Sequence, residues 1–85
     1  SDPKFLILRL HRVPFMDITG IQTIESVIAA LRKRDVRVIV CEANDRVLGK
    51  LRKAGVLDAL LAGDYCETFN ESLTRADHVQ PKSSD

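Results

Sequence analysis

The stretch Val13-Pro14-Phe15-Met16-Asp17-Ile18-Thr19-Gly20 lies between an apolar run and a segment of helical period, and this junction sets how the chain is laid out. Ahead of it, Phe5-Leu6-Ile7-Leu8-Arg9-Leu10 is almost continuously apolar. That pattern predicts a strand covered on both faces, as in a parallel sheet, and Pro14 ends its ladder pairing. Behind it, Ile21, Ile24, Ile28 and Leu31 recur on one helical face. Arg32, Lys33 and Arg34 close that helix, where cations suit the macrodipole. The turn therefore sits at a helix N-terminus, where a side-chain oxygen caps free N–H groups and where a phosphate can be held or carried.

The rest of the chain repeats the alternation. Val36-Arg37-Val38-Ile39-Val40-Cys41 is rich in β-branched residues and reads as a second strand. Asn44 or Asp45 caps a helix over about Arg46 to Ala54, with Val47, Leu48 and Leu51 toward the core and Gly55 just past its end. Leu57 to Leu61 adds a short helical turn, and Tyr65 to Thr68 reads as a brief third strand. Thr68 and Glu71 are spaced as a capping box, which starts a last helix running to about Val79. Pro81 to Asp85 reads as a frayed tail. The order β-α-β-α-β-α implies an α/β fold with a mostly parallel sheet and right-handed crossovers. Three strands make a narrow sheet, so one strand lacks a neighbour unless another segment covers it.

Composition bounds the function. The chain has 85 residues, 45% of them apolar, with no Trp, one Tyr and three Phe. It is one small domain with an aliphatic core and a stability on the order of 5 kcal/mol. No apolar stretch approaches the length of a membrane span, and Ser1-Asp2-Pro3 has no signal-peptide character. The net charge of +1 hides an asymmetry: residues 1–53 carry eleven Lys and Arg against six Asp and Glu, residues 54–85 two against six. A bipolar surface suits a protein partner of mixed charge, not nucleic acid. Cys41 and Cys66 lie far apart in sequence and outside any CxxC pair. They read as two reduced, partly buried thiols, with a disulfide or metal pair as the alternative. His11 and His78 show no ligand spacing, and His11 reads as a solvated loop residue. The run Arg46, Lys50, Arg52, Lys53 reads as a solvated helix face, with a docking surface for an acidic partner as the alternative. No nucleophile–base set or GxxxxGK[ST] phosphate loop is spaced for catalysis, and Asp17 lacks the acidic partners of a magnesium-dependent phosphoacceptor. The chain is read as not an enzyme.

The segment Arg9 to Thr23, with the turn Asp17-Ile18-Thr19-Gly20 at its centre, resembles the signature stretch of a STAS domain, closest to the cytoplasmic STAS domain of SulP-type anion transporters. The likeness continues through Leu31–Arg34, Val38–Cys41, Asn44–Leu48, Leu51–Leu57 and Phe69–Leu73, and spans about Lys4 to Ala76. It implies a STAS domain over residues 4–80, with 1–3 a linker remnant and 81–85 a tail. It also implies further strands ahead of Phe5–Leu10, so that the chain is a portion of a complete domain and self-associates. By the same resemblance the domain hangs on the cytoplasmic side of a membrane transporter for sulfate or another anion. There it contacts the transporter's own membrane part and cytosolic regulatory proteins, without binding the transported anion.

In relatives that antagonise anti-sigma factors the turn reads Asp-Ser-Ser-Gly and its second serine is phosphorylated. Thr19 stands at that place, with Ile18 where a small residue is usual. Two readings of the turn stand open. In one, Asp17 is a helix cap, Thr19 a first-turn residue and Gly20 a close-packing position. In the other, Thr19 accepts a phosphate and Asp17, Ile18, Gly20 and Gln22 complete a surface read by a partner. The resemblance also brings guanine nucleotide into view at this helix start, although no cofactor is otherwise expected.

Overall fold

Four consecutive residues of the second strand, Val38 to Cys41, are almost wholly shielded from solvent, and the architecture is arranged around them. In the computed structural model, which describes residues 4–79, the order is β1 (Lys4–Arg9), α1 (Ile18–Lys33), β2 (Val36–Cys41), α2 (Asp45–Lys53), a 3-10 turn (Leu57–Ala59), β3 (Tyr65–Cys66) and α3 (Phe69–Val79). The strands form one parallel sheet in the order β1-β2-β3. Lys4 to Arg9 register against Val36 to Cys41, and Val40 and Cys41 against Tyr65 and Cys66.

Side chains alternate across β2, so each face receives its own layer. Val38 and Val40 pack with Ile21, Ile24 and Ile28 of α1, Val47 and Leu51 of α2, and Val56. Ile39 and Cys41 pack on the opposite face with Cys66, Phe5, Ile7, and Phe69 and Ala76 of α3. The expected helical face of α1 is the buried one, with Leu31 partly buried at its end. Each large aliphatic side chain enclosed this way contributes about 1.5–3 kcal/mol relative to exposure.

Several local features differ from the sequence reading. The apolar run of β1 is covered on both faces as expected, Phe5 and Ile7 packing on the α3 side and Leu8 on the α1 side, but less completely than β2, since Leu6 is 38% exposed. β1 is a sheet edge among the described residues, and the more completely enclosed strand is β2. β3 is two residues long rather than four, because Thr68 is drawn off to cap α3: its Oγ1 accepts from Glu71 N at 3.1 Å, and the Glu71 carboxylate accepts from Thr68 N and Oγ1. α2 begins at Asp45, one residue early, because Asn44 is its cap. The turn from α1 into β2 contains no glycine; Asp35 takes the left-handed conformation with φ 58°, which a short polar side chain tolerates. The linker remnant 1–3 and the tail 81–85 lie outside the described residues.

A buried ionic cluster holds the β3 end of the sheet. The Asp64 side chain is 1% exposed. It accepts from Arg37 Nε at 2.6 Å and Nη2 at 3.0 Å, and from Arg75 Nε at 3.0 Å. Its backbone carbonyl accepts from Val40 N at 2.8 Å. One carboxylate thus links β2, the approach to β3, and α3. Next to it Gly63 has φ 86°, and a Cβ there would stand 2.9 Å from Arg75 Cζ. The left-handed backbone favours glycine, and a side chain there would also displace the Arg75 guanidinium from its bonds. Asp64→Asn leaves two guanidinium groups facing a neutral amide and is expected to lower unfolding free energy by about 2–3 kcal/mol in a urea titration. A change within about 0.5 kcal/mol would show that the cluster does not hold this end of the sheet.

Candidate functional site

The loop between β1 and α1 lies at the carboxyl end of the parallel strands, the edge where open α/β sheets present their ligand-facing loops. It is anchored from within: Leu10 and Met16 are buried, and Val13 packs against the same core. Asp17 has extended backbone, and its Oδ1 accepts from Gly20 N at 2.9 Å. The first intrahelical bond runs from Ile21 N to Asp17 O at 3.0 Å. The cap expected of Asp17 is therefore formed. Gly20 packs closely on Met16: a Cβ there would stand 3.0 Å from Met16 Cγ, so that side chain would have to give way by a few tenths of an ångström.

What the loop shows to solvent is partly apolar. Ile18 is 72% exposed and Phe15 65%. Thr19 and Gln22 are exposed beside them. Thr19 bonds through its backbone, where its carbonyl accepts from Thr23 Oγ1 at 2.9 Å. The N–H groups of Ile18 and Thr19 precede the first intrahelical bond, so the turn presents a hydroxyl and backbone donors at the positive end of a 16-residue helix. Asp17, Ile18, Thr19, Gly20 and Gln22 are thus brought together on one turn.

Asn44 has a second role beyond the cap expected of it. Its Oδ1 accepts from Val47 N at 2.8 Å, capping α2. Its Nδ2 donates to the carbonyls of Val13 at 3.3 Å and Pro14 at 3.1 Å. One amide therefore fixes the turn to the start of α2.

Beside the turn, an ionic pair unforeseen in the sequence joins β1 to the end of β2. Arg9 Nε donates to Glu42 Oε1 at 2.5 Å and Nη2 to Oε2 at 3.2 Å. Arg9 Cζ also stands 4.2 Å above the centre of the Phe69 ring, a cation–π contact with α3. Hydrogen bonding from Arg9 holds the Glu42 carboxyl below the usual carboxylate range. The pair is therefore kept at neutral pH and lost only as pH falls through that lowered value. Glu42 has φ 67°, an uncommon conformation for a side-chain-bearing residue. His11 is exposed, as expected, with Nδ1 3.8 Å from Glu42 Oε1.

Arg46, Lys50, Arg52 and Lys53 are exposed on α2. Cys41 and Cys66 are buried free thiols. Among the described residues no three His, Cys, Asp or Glu side chains are grouped to hold a metal, and no helix is long and apolar enough to cross a membrane. What the geometry offers at the turn is a rigidly held, half-apolar surface with an accessible hydroxyl.

Comparison with known proteins agrees with this frame. The sequence model of the STAS domain matches residues 1–75. Sulfate transporter 1.2 of Arabidopsis thaliana is 34% identical over 77 residues, which cover 91% of this chain and 11% of that transporter. The STAS domain of a SulP transporter from Vibrio cholerae superposes with a TM-score of 0.85 at 45% identity, covering 89% of this chain and 59% of that one. The chain therefore spans about a ninth of the curated transporter and less than two thirds of the solved domain. With a family match over most of its length and a backbone this close to that of a SulP relative, the chain belongs to the STAS domain family.

Proposed function

We propose that this domain is a non-catalytic regulatory and docking module of a SulP-type anion transporter, carried on the cytoplasmic side of the membrane. The observation that carries the reading is the 45% identity to a SulP transporter STAS domain over a common backbone. The site adds a physical reason for docking. Asn44, Asp17 and the buried Met16 fix the turn's backbone, so little conformational entropy is lost when a partner binds it. Ile18 and Phe15 supply apolar contact area. The partner on this reading is the transporter's own membrane part, with cytosolic regulators as further partners. Self-association on this reading runs through β1, which is a sheet edge among the described residues. The transported anion is bound in the membrane part, and sulfate is the anion named for the Arabidopsis relative.

A second reading is favoured by one observation, the exposure of Thr19 at the start of α1. Phosphorylation there adds about −1.5 to −2 charges at the positive end of the helix. This switches the surface, as in an anti-sigma factor antagonist. Guanine nucleotide is a weaker candidate for the same helix start, resting on resemblance alone.

Three measurements test these readings. Ile18→Asp in the full-length transporter is expected to lower anion uptake, or association of the domain with the membrane part, by about tenfold. The isolated domain's stability should stay within about 0.5 kcal/mol, because the side chain is on the surface. Unchanged uptake together with unchanged association would remove the docking role. Asn44→Ala deletes a cap and both ties to the turn, and is expected to cost about 2 kcal/mol in thermal unfolding. Incubation with cytosolic kinases followed by phosphosite mapping is expected to place label on Thr19; label elsewhere, or none, rejects the switch.

A further inference from the structure

The two cysteines, distant in sequence, are register partners. Cys41 of β2 lies directly opposite Cys66 of β3, and both side chains belong to the same buried cluster beneath α3. Neighbouring strands run about 4.8 Å apart, which places their Cα atoms within the 4.4–6.8 Å range that a disulfide spans. A disulfide further needs the Cβ atoms about 3.5–4.5 Å apart, and the strand that carries Cys66 is two residues long and lies at the sheet edge among the described residues.

The two thiols differ in access. Cys41 is fully enclosed, at 0% exposure, whereas Cys66 retains 9%. Cys66 also forms part of the wall of an open cleft of about 510 Å³, with Gly63, Tyr65, Asn70, Glu71 and Arg75. Cys66 lines this cleft and Cys41 does not. Burial pushes the Cys41 thiol up, which disfavours it as the first nucleophile. Access therefore favours Cys66 as the attacking cysteine and leaves Cys41 as the resolving one.

We propose that Cys41 and Cys66 form a reversible dithiol–disulfide pair across β2 and β3, closed by a small disulfide of the glutathione class that reaches Cys66 through this cleft. The Cys66 thiolate attacks one sulfur of the oxidant. The first small thiol leaves with the electron pair and takes up a proton. The Cys41 thiolate then attacks Cys66 Sγ in the mixed disulfide and expels the second small thiol. The protein loses two electrons and two protons, and the oxidant's S–S bond becomes two thiols. The product pins β3 covalently to the central strand. In a reducing compartment such a bond is transient, which suits a sensor of redox poise and not a permanent staple.

The test uses the folded chain with oxidised glutathione, followed by alkylation, intact mass measurement and peptide mapping. The expected product is monomeric, two hydrogens lighter, free of adduct, and cross-linked between the Cys41 and Cys66 peptides. Cys41→Ala should stop at a stable glutathione adduct on Cys66. Cys66→Ala should leave Cys41 unmodified while the protein stays folded. Accumulation of an unresolved Cys66 adduct in the unsubstituted chain would overturn the proposal. So would adduct formation first at Cys41, cross-links only between chains, or reaction only after denaturation. If an alanine variant does not fold, the peptide map of the unsubstituted chain decides alone.

Discussion

The enclosure of β2 on both faces is the constraint on which the rest of the molecule depends. Val38 and Val40 point to one helical layer, Ile39 and Cys41 to the other, and all four are almost wholly buried. A strand buried on both faces cannot slip register by one residue without exchanging the contents of the two layers. Its register therefore fixes β1, through six paired residues, and β3, through two. The helices follow, because each has one apolar side to bury against a face that β2 has already defined.

The candidate site inherits its precision from this arrangement. The carboxyl ends of β1 and β2 lie side by side, with Arg9 opposite Cys41. The residues that follow, Leu10 to Gly20 and Glu42 to Asn44, therefore emerge next to one another. Asn44 joins these two segments through its side chain, and the Arg9–Glu42 pair ties the end of β1 to the second of them. The turn holds its shape by hydrogen bonds to its neighbours while its outer face stays open to solvent. Such a division suits a surface that is recognised: the backbone is fixed and the exposed side chains are free to make contact.

The opposite edge of the sheet is held by different means. β3 contributes only two paired residues, and an ionic cluster around Asp64 stands in for the missing strand length. A buried carboxylate with two guanidinium partners is costly to desolvate, and is tolerated where its hydrogen bonds are satisfied. Here its oxygens are bonded to Arg37 and Arg75, and Arg75 reaches across Gly63 to the Ala62 carbonyl. The same short strand brings Cys66 beside Cys41, so the geometry of the thiol pair depends on how firmly this edge is held.

The amino-acid sequence by itself determined the element order, the apolar face of α1, the extent of β2, the capping box of α3 and the capped turn at Asp17. Each of these is a local property, written in periods of 2 and 3.6 or in capping residues a few positions apart. Only the tertiary structure decided that β2 is the central and more completely enclosed strand, because neighbours in a sheet are assigned by crossovers and not by the apolar run itself. The same holds for Arg9 with Glu42, for Arg37 and Arg75 with Asp64, for the second role of Asn44, and for Cys41 beside Cys66. These partners lie between 11 and 33 residues apart. Nothing in a one-dimensional pattern pairs charges or thiols over such distances. Parallel register does, by laying the end of one strand against the end of the next.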